Sequence, residues 1–200
     1  MQTQEATRYF KITNEAENHH GFQYKDGLNV LLQPFRQEGS CVPGGLYFTT
    51  IDFIHEFYNY GVNLRIVELP TSDPEFKMVG DPEGNKWRAN KIILGAKYSL
   101  ADPATYIHFG LNISVDDVSA FGYIDVLNWL RASSAASGVP LQYTEEAMNE
   151  ASANGHVHIL QWWLDSNLEL KYSPYAFILA KRYGRKNVLK WWKESGLTGY

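Results

Sequence analysis

Two groups of residues in this sequence could take part in chemistry, and the first lies in the N-terminal half. His19 and His20 end a polar, turn-rich segment, and Cys41 comes shortly before the turn at residues 43–45, Pro-Gly-Gly. An imidazole can act as an acid or a base near neutral pH, and a thiol becomes a nucleophile when the fold brings a histidine close to it. A polar loop with two histidines beside a glycine turn is therefore the best candidate for a catalytic site.

Tyr47 and Glu68 are the other two candidates in this half, and each has a plain structural alternative. Residues 46–49 alternate in the manner of a strand, so one of the neighbouring rings of Tyr47 and Phe48 is expected in the core. Glu68 lies in a second alternating segment. Its structural alternative is a strand residue whose carboxylate faces solvent and has no catalytic role. The glycine pair before Tyr47 lacks the spacing and the following Lys-Ser/Thr of a phosphate loop, so a simple turn remains the alternative there.

The second group lies near the C-terminus and is suited to binding rather than to catalysis. It consists of tryptophans and basic residues: Trp162, Trp163, Trp191, Trp192, Lys181, Arg182 and Arg185. Neighbouring residues on a helix point about 100° apart, so the two rings of each Trp-Trp pair face different directions. One ring is expected between repeats, and the other covers the array or meets another surface. The basic residues form either a solvated helix face or a patch that binds polyanions.

A metal site is not expected. His156 and His158 are two residues apart, so on a helix they point to different faces and cannot share an ion. We therefore predict no metal ligands in this chain.

The elements that position the first group are mostly strands. Alternation predicts strands at residues 9–13, 46–49, 64–70 and 87–94, and apolar periodicity predicts a helix at residues 51–57 after a Thr cap. Residues 81–86 read Asp-Pro-Glu-Gly-Asn-Lys, which is typical of a tight turn between strands. Residues 1–100 are thus predicted to form a small α+β domain with a mixed, mainly antiparallel sheet.

The second group belongs to a helical repeat. Gly184 and Trp191 follow Gly155 and Trp162 by 29 residues, and Gly122 precedes Gly155 by 33. Self-similarity at this period indicates an array of helix pairs. Three degenerate repeats are expected at residues 114–200, after a junction at residues 101–113. Gly138, Asn167 and Gly196 are predicted to end helices in the left-handed conformation.

The composition of the chain limits the classes of partner that we expect. The formal net charge of -4 provides no general attraction to nucleic acid or to anionic membranes, so neither partner is expected. No apolar run approaches the length of a membrane span. The single cysteine excludes an internal disulfide framework, and residues 1–5 resemble no secretion signal. A cytoplasmic or nuclear location follows as an expectation.

The repeats resemble ankyrin repeats, with an alanine-bearing first helix, Gly-His at the turn and an apolar second helix. The consensus Thr-Pro-Leu-His is absent, and Trp-Trp stands where leucines are usual. The N-terminal motifs at residues 9–13, 19–28, 39–49 and 81–89 resemble the domain that precedes ankyrin-like repeats in giant-virus, fungal and protist proteins. This resemblance implies a two-part architecture and no particular chemistry.

A more distant similarity links residues 9–49 to the NAD-binding core of ADP-ribosyltransferases. It implies that Tyr47 stacks on the nicotinamide, that Glu68 steadies an oxocarbenium-like transition state, and that His19 or His20 contacts the ribose. The first strand lacks the His or Arg of that family, since it reads Tyr-Phe-Lys-Ile-Thr.

The sequence therefore favours a protein-interaction module without a cofactor, in which the α+β domain caps a repeat face that binds a protein partner. The alternative is an NAD-dependent ADP-ribosyltransferase-like enzyme with its site in residues 1–100. Polyanion binding by the basic residues is a third hypothesis. Whether the chain is an enzyme stays open at this stage.

Overall fold

The computed structural model of the protein describes residues 7–82 and 84–198. The chain divides into two compact units. We call them the β unit (Met1–Leu100 with Ile107–Leu111) and the helical unit (Ala101–Tyr106 with Asn112–Tyr200). The predicted absence of a secretion signal concerns residues 1–5, which lie outside the described ranges, as does Glu83 in the predicted turn.

A seven-stranded antiparallel sheet with the order β4-β9-β6-β1-β5-β8-β7 forms the β unit, and β2 and β3 pair separately. The strands are β1 Tyr9–Thr13, β2 Asn18–His19, β3 Phe22–Gln23, β4 Gly27–Val30, β5 Leu46–Thr50, β6 Asn63–Glu68, β7 Met78–Gly80, β8 Trp87–Ala89 and β9 Lys91–Ser99. Together with the helices of the other unit, this sheet confirms the predicted α+β class.

The central strand β1 is buried on both faces. Phe10 and Ile12 are 1% and 4% exposed, and their neighbours Lys11 and Thr13, which point to the opposite face, are 8% and 0% exposed. Phe10 packs edge-on against Phe109 at 5.5 Å. A strand covered on both sides must place polar side chains in the interior as well as apolar ones.

Two local predictions for this unit differ from the structure in detail. The helix predicted at residues 51–57 is present as a 3₁₀ helix, Ile51–Tyr60, but the Thr50 side chain makes no capping hydrogen bond. The predicted strand at 87–94 is divided at Asn90, whose side chain donates to the carbonyl of Glu75 and accepts from the N–H of Lys77. The side chain of Asn90 thus hydrogen-bonds to the backbone of a neighbouring segment. The strands on either side of it, β8 and β9, pair with different strands of the sheet.

Three helix pairs make up most of the helical unit. The helices are α1 Pro103–Phe109, α2 Val115–Phe121, α3 Ile124–Ser137, α4 Glu146–Asn154, α5 Val157–Asp165, α6 Pro174–Arg182 and α7 Lys186–Glu194. The first helices of successive pairs pack side by side, α2 on α4 and α4 on α6. Helix α1 occupies much of the stretch that was expected to be a junction.

The helix ends follow the predicted chemistry. Gly138, Asn167 and Gly196 all have positive φ, at 71°, 57° and 76°, which confirms the left-handed terminators expected from the sequence. Among the described helices, none is long and apolar enough to cross a membrane.

Candidate functional site

A cavity of about 530 Å³ in the β unit is the main candidate site. It lies beside β1 and β5, whose backbone pairing is limited to Tyr9 with Thr50 and Phe10 with Thr49. Past that point, the carbonyl of Tyr47 accepts a hydrogen bond from the Lys11 side chain at 2.9 Å. The backbone pairing of β1 with β5 stops after these two residue pairs, and the cavity lies in the space beyond them.

Three further segments complete the wall. The connection between β4 and β5 contributes Val42, Pro43 and the glycine pair, and the 3₁₀ helix contributes Phe57 and Tyr60. The end of β2 and the turn that follows it contribute His19 and His20.

Arg88 holds the long connection between β4 and β5 in place. This fully buried side chain donates from Nε to the carbonyl of Arg36 and from one terminal nitrogen to the carbonyl of Gly39 and to Tyr47 Oη, at 2.7–2.9 Å. A Cβ at position 45 would lie 2.7 Å from Arg88 Cδ, so glycine is required there. The Pro-Gly-Gly turn therefore permits the close approach of an internal arginine.

Tyr47 is fixed by its hydroxyl group. Its Oη donates to the carbonyl of Val42 at 2.9 Å, and the N–H of Val42 donates back at 3.0 Å. The ring lines the cavity while its polar end is occupied by the connecting segment and by Arg88. Tyr47 is therefore a rigid part of the wall.

Lys11 is the most unusual group in the cavity wall. Its ammonium lies 4.5 Å from the centroid of the Tyr24 ring, and burial lowers its pKa from 10.5 to about 8. Lys11 is not among the site residues predicted from the sequence. The available signal was a lysine inside an otherwise apolar strand, between Phe10 and Ile12.

His19 is a neutral acceptor and His20 is exposed. The Nε2 atom of His19 accepts the N–H of Asn14 at 3.1 Å, and its ring stacks on Tyr60. Burial, followed by the charges of Lys11 and His20, lowers the pKa of His19 to about 4. Since Nε2 is an acceptor, the ring proton of the neutral form is on Nδ1, which is a donor. His20 adopts a positive φ of 51°.

The structure brings His19, His20 and Tyr47 to this cavity but does not bring Glu68 there. Glu68 is exposed at the end of β6, opposite Ile93 of β9. Within the described residues the lining contains no Asp or Glu, so it supplies no carboxylate for the transition state of an ADP-ribosyl transfer. The transferase hypothesis and its NAD cofactor stay predictions that nothing in this geometry favours.

Cys41 lies at the cavity wall and is exposed. Its Sγ accepts a hydrogen bond from Lys86 Nζ at 3.1 Å. The described residues contain no group of three or more histidine, cysteine or acidic side chains arranged to hold a metal ion.

The tryptophans of the helical unit form a regular set of bonds between successive helix pairs. Trp163 Nε1 donates to Ser119 Oγ at 3.2 Å, and Trp192 Nε1 donates to Ser152 Oγ at 3.0 Å. Both indoles are buried, at 1% and 0% exposure. Each of them therefore joins one pair to the pair before it.

The other two tryptophans repeat the arrangement nearer the surface. Trp162 Nε1 donates to Asn128 Oδ1 at 2.7 Å, and Trp191 Nε1 donates to Gln161 Oε1 at 2.9 Å. We call these four bonds the indole ladder. Trp163, Trp191 and Trp192 are buried, and Trp162 is half-buried. The expectation that one ring of each pair packs between repeats holds for Trp163 and Trp192, and a role of the four tryptophans in partner binding stays a prediction.

The three basic candidates have different roles. Arg185 Nε donates to the carbonyl of Ala153 at 2.8 Å, and its side chain packs over Gly155, so it too joins neighbouring pairs. Lys181 and Arg182 are exposed on α6. Arg182 lies over the ring of Tyr183.

Exposed apolar residues accompany these cations. Tyr175, Ile178 and Tyr183 are 62%, 52% and 53% exposed. Tyr175, Ile178 and Arg182 follow the i, i+3, i+7 spacing, so they share one helix face. This face was not predicted from the sequence. The signal was Ile178, which stands where α4 has the polar Asn149.

The sequence has clear relatives in Acanthamoeba polyphaga mimivirus. It is 43% identical to "Putative ankyrin repeat protein R868" over 128 residues, and this alignment covers 60% of this chain and 64% of that protein. It is 44% identical over 133 residues to "Uncharacterized protein R869", which covers 61% of this chain and 96% of that protein. With "Uncharacterized protein L696" it shares 38% identity over 149 residues, 72% of this chain and 45% of that protein.

The chain thus spans less than two thirds of R868 and less than half of L696. No protein-family profile matches it, and no solved structure is significantly similar to it. The near-complete coverage of R869 and the helix pairs described above lead to one conclusion. The chain belongs to the family of these mimivirus proteins, several of which are named as ankyrin repeat proteins.

Proposed function

We propose that this protein is a protein-interaction module whose helical unit binds an acidic, partly apolar segment of a partner protein. The binding surface is the α6 stripe, which we define as Tyr175, Ile178, Lys181 and Arg182. The observation that carries the proposal is the exposure of Tyr175 and Ile178, two large apolar side chains, beside two cations.

The equivalent positions in α4 show what kind of structure packs against a surface in this position. Asn149 and Ser152, one repeat earlier than Ile178 and Lys181, are 1% and 0% exposed. They are covered by the following pair, where Asn149 Nδ2 donates to Ser173 Oγ and Ser152 accepts from Trp192. The α6 stripe therefore has the position of a surface on which helices dock.

The chemistry of the stripe differs from that of α4. Lys181 stands in place of the hydroxyl that accepts an indole N–H, and an ammonium group cannot accept a hydrogen bond. A partner that matches the stripe needs carboxylates for Lys181 and Arg182 and an apolar residue for Ile178. Apolar anchors surrounded by complementary charges are the usual composition of a binding hot spot.

The proposal can be tested with a displayed library of acidic and apolar peptides selected on the whole protein. Selected peptides are then titrated by fluorescence anisotropy against wild type and Ile178→Ser. We expect affinity to fall at least about tenfold, because a buried isoleucine contributes roughly 1.5–3 kcal/mol. The matched control is Val139→Ser, which changes a similarly exposed aliphatic residue elsewhere in the helical unit (62%, against 52% for Ile178).

Equal binding of the selected peptides to Ile178→Ser and wild type would overturn the proposal. If binding depends on Lys181 and on salt but not on Ile178, the surface recognises polyanions instead.

A further inference from the structure

We propose that the cavity of the β unit binds a small anionic ligand with a flat, apolar body, and that the anionic group of the ligand contacts Lys11 Nζ. This site is separate from the α6 stripe and does not depend on the function proposed for it.

The ammonium of Lys11 can donate one more hydrogen bond. An ammonium has three N–H donors, and two of them have partners, the carbonyl of Tyr47 at 2.9 Å and the face of Tyr24 at 4.5 Å. No carboxylate in residues 7–82 or 84–198 forms an ion pair with it. Lys11 is only 8% exposed, so water provides little compensation. One donor of a buried cation is left for a ligand.

The neighbouring buried cation on the same sheet, Arg65, differs from Lys11 in its partners. Lys11 of β1 pairs in register with Arg65 of β6, so both side chains project from the same face. Arg65 is 2% exposed and has two carboxylates, Glu17 at 3.4 Å and Asp26 in direct contact. The fold therefore neutralises one buried cation and leaves the other without an anion. An unpaired buried charge is costly, and it is expected where a ligand completes the pair.

The composition of the lining favours an anion. It contains Lys11 and the two histidines, and within the described chain no Asp or Glu. Lys86 also lines the cavity, but its ammonium is paired with Asp81 Oδ1 at 3.7 Å. Neutral His19 adds an Nδ1–H donor near Lys11, whose charge lowers the pKa of that histidine. Positive charge and donors without acidic groups favour an anion over a cation or a neutral polar ligand.

The rest of the cavity wall indicates which kind of ligand body fits. Phe48, Phe57, Tyr60 and Val42 present aromatic and aliphatic surface. The volume of about 530 Å³ is within the range of small-molecule sites, roughly 300–1,000 Å³. One or two fused rings with a carboxylate or sulfonate match both the space and Lys11, the buried cation without a carboxylate partner.

The test uses two fluorescent probes that differ in charge. 8-Anilinonaphthalene-1-sulfonate carries the anionic group, and N-phenyl-1-naphthylamine has the same ring system without it. In titrations of the whole protein we expect the anionic probe to bind at least about tenfold more tightly, since a charge-assisted hydrogen bond in a buried site is a strong contact. Equal affinity of wild type for the two probes would overturn the proposal without reference to any variant.

The variant Lys11→Met assigns the preference to the site. It keeps the length of the side chain and removes the charge, so we expect the anionic probe to lose about tenfold in affinity while the neutral probe stays within twofold. The matched control is Lys25→Met, an exposed lysine outside the cavity, which should change neither affinity. A preference for the anionic probe that survives Lys11→Met would show that the anion binds elsewhere and would refute the assignment.

Discussion

Replacing Lys11 by methionine should make the β unit more stable. The wild-type ammonium is buried without a carboxylate partner, and burial holds its pKa at about 8 instead of 10.5. That difference corresponds to about 3 kcal/mol at neutral pH, because one pH unit is worth about 1.4 kcal/mol. The lost hydrogen bond to the Tyr47 carbonyl offsets about 1 kcal/mol. We expect a net gain of about 2 kcal/mol.

The pH dependence identifies the cause. Between pH 8 and 10.5 the unfolded chain holds a proton on Lys11 that the folded chain has released, so wild-type stability rises with pH in this window. Methionine has no such transition. The advantage of Lys11→Met should therefore be greatest below pH 8 and should shrink as the pH approaches 10.5.

The assay is native-state hydrogen exchange of amides in β1 and β6, which reports the opening of the β unit specifically. Lys25→Met is the control and should stay within about 0.5 kcal/mol of wild type, as exposed substitutions usually do. A destabilised Lys11→Met protein would refute the reasoning. It would mean that the contacts with Tyr24 and Tyr47 outweigh the cost of burying the charge.

Three further predictions concern other parts of the molecule. Trp192→Phe should destabilise the helical unit by about 2 kcal/mol in urea unfolding, because Ser152 loses a buried donor and the smaller ring leaves space. Gly61→Ala should cost more than about 3 kcal/mol or prevent folding, visible in soluble yield and circular dichroism, since its Cβ would overlap the carbonyl of Thr13. His19→Gln should flatten the rise of stability between pH 4 and 6.5, where the unfolded chain binds a proton that the folded His19 does not.

Each of these has its own control. Ser152→Ala combined with Trp192→Phe should cost less than the sum of the single changes, and strict additivity would show that the bond contributes nothing. Gly95→Ala should be tolerated, because its Cβ would meet Ile66 at an ordinary 3.7 Å. A pH profile between 4 and 6.5 that is unchanged in His19→Gln would exclude this histidine as the source.

The elements that sequence analysis predicted correctly are those whose pattern is local. Strands β1 and β6 were evident from alternation within a few residues, and the left-handed helix ends from single Gly or Asn residues. The break at Asn90 was missed because its cause lies elsewhere. The side chain of Asn90 bonds to residues 75 and 77, and a window along the strand does not contain them.

The candidate sites show the same limit. His19, His20 and Tyr47 were chosen for their chemistry, and the fold does place them at one cavity. Lys11 was overlooked because its burial and its lack of a carboxylate depend on residues from several strands. The direction of each tryptophan ring was left open for a similar reason, since the acceptor of Trp163 is 44 residues away. Spacing identified the repeat but not the direction in which each ring points.

The indole ladder has a consequence for how such arrays can change in evolution. Every rung runs from a tryptophan of one helix pair to a hydroxyl or an amide of the pair before it, as with Trp192 and Ser152 or Trp191 and Gln161. A pair therefore brings its own donors and needs only two acceptors from its predecessor. Duplicated or recombined pairs would keep their register wherever those two acceptors are present. The corresponding positions of α6 and α7 are Lys181 and Lys190. An ammonium group cannot accept a hydrogen bond, so the pattern of two acceptors per pair is not continued there.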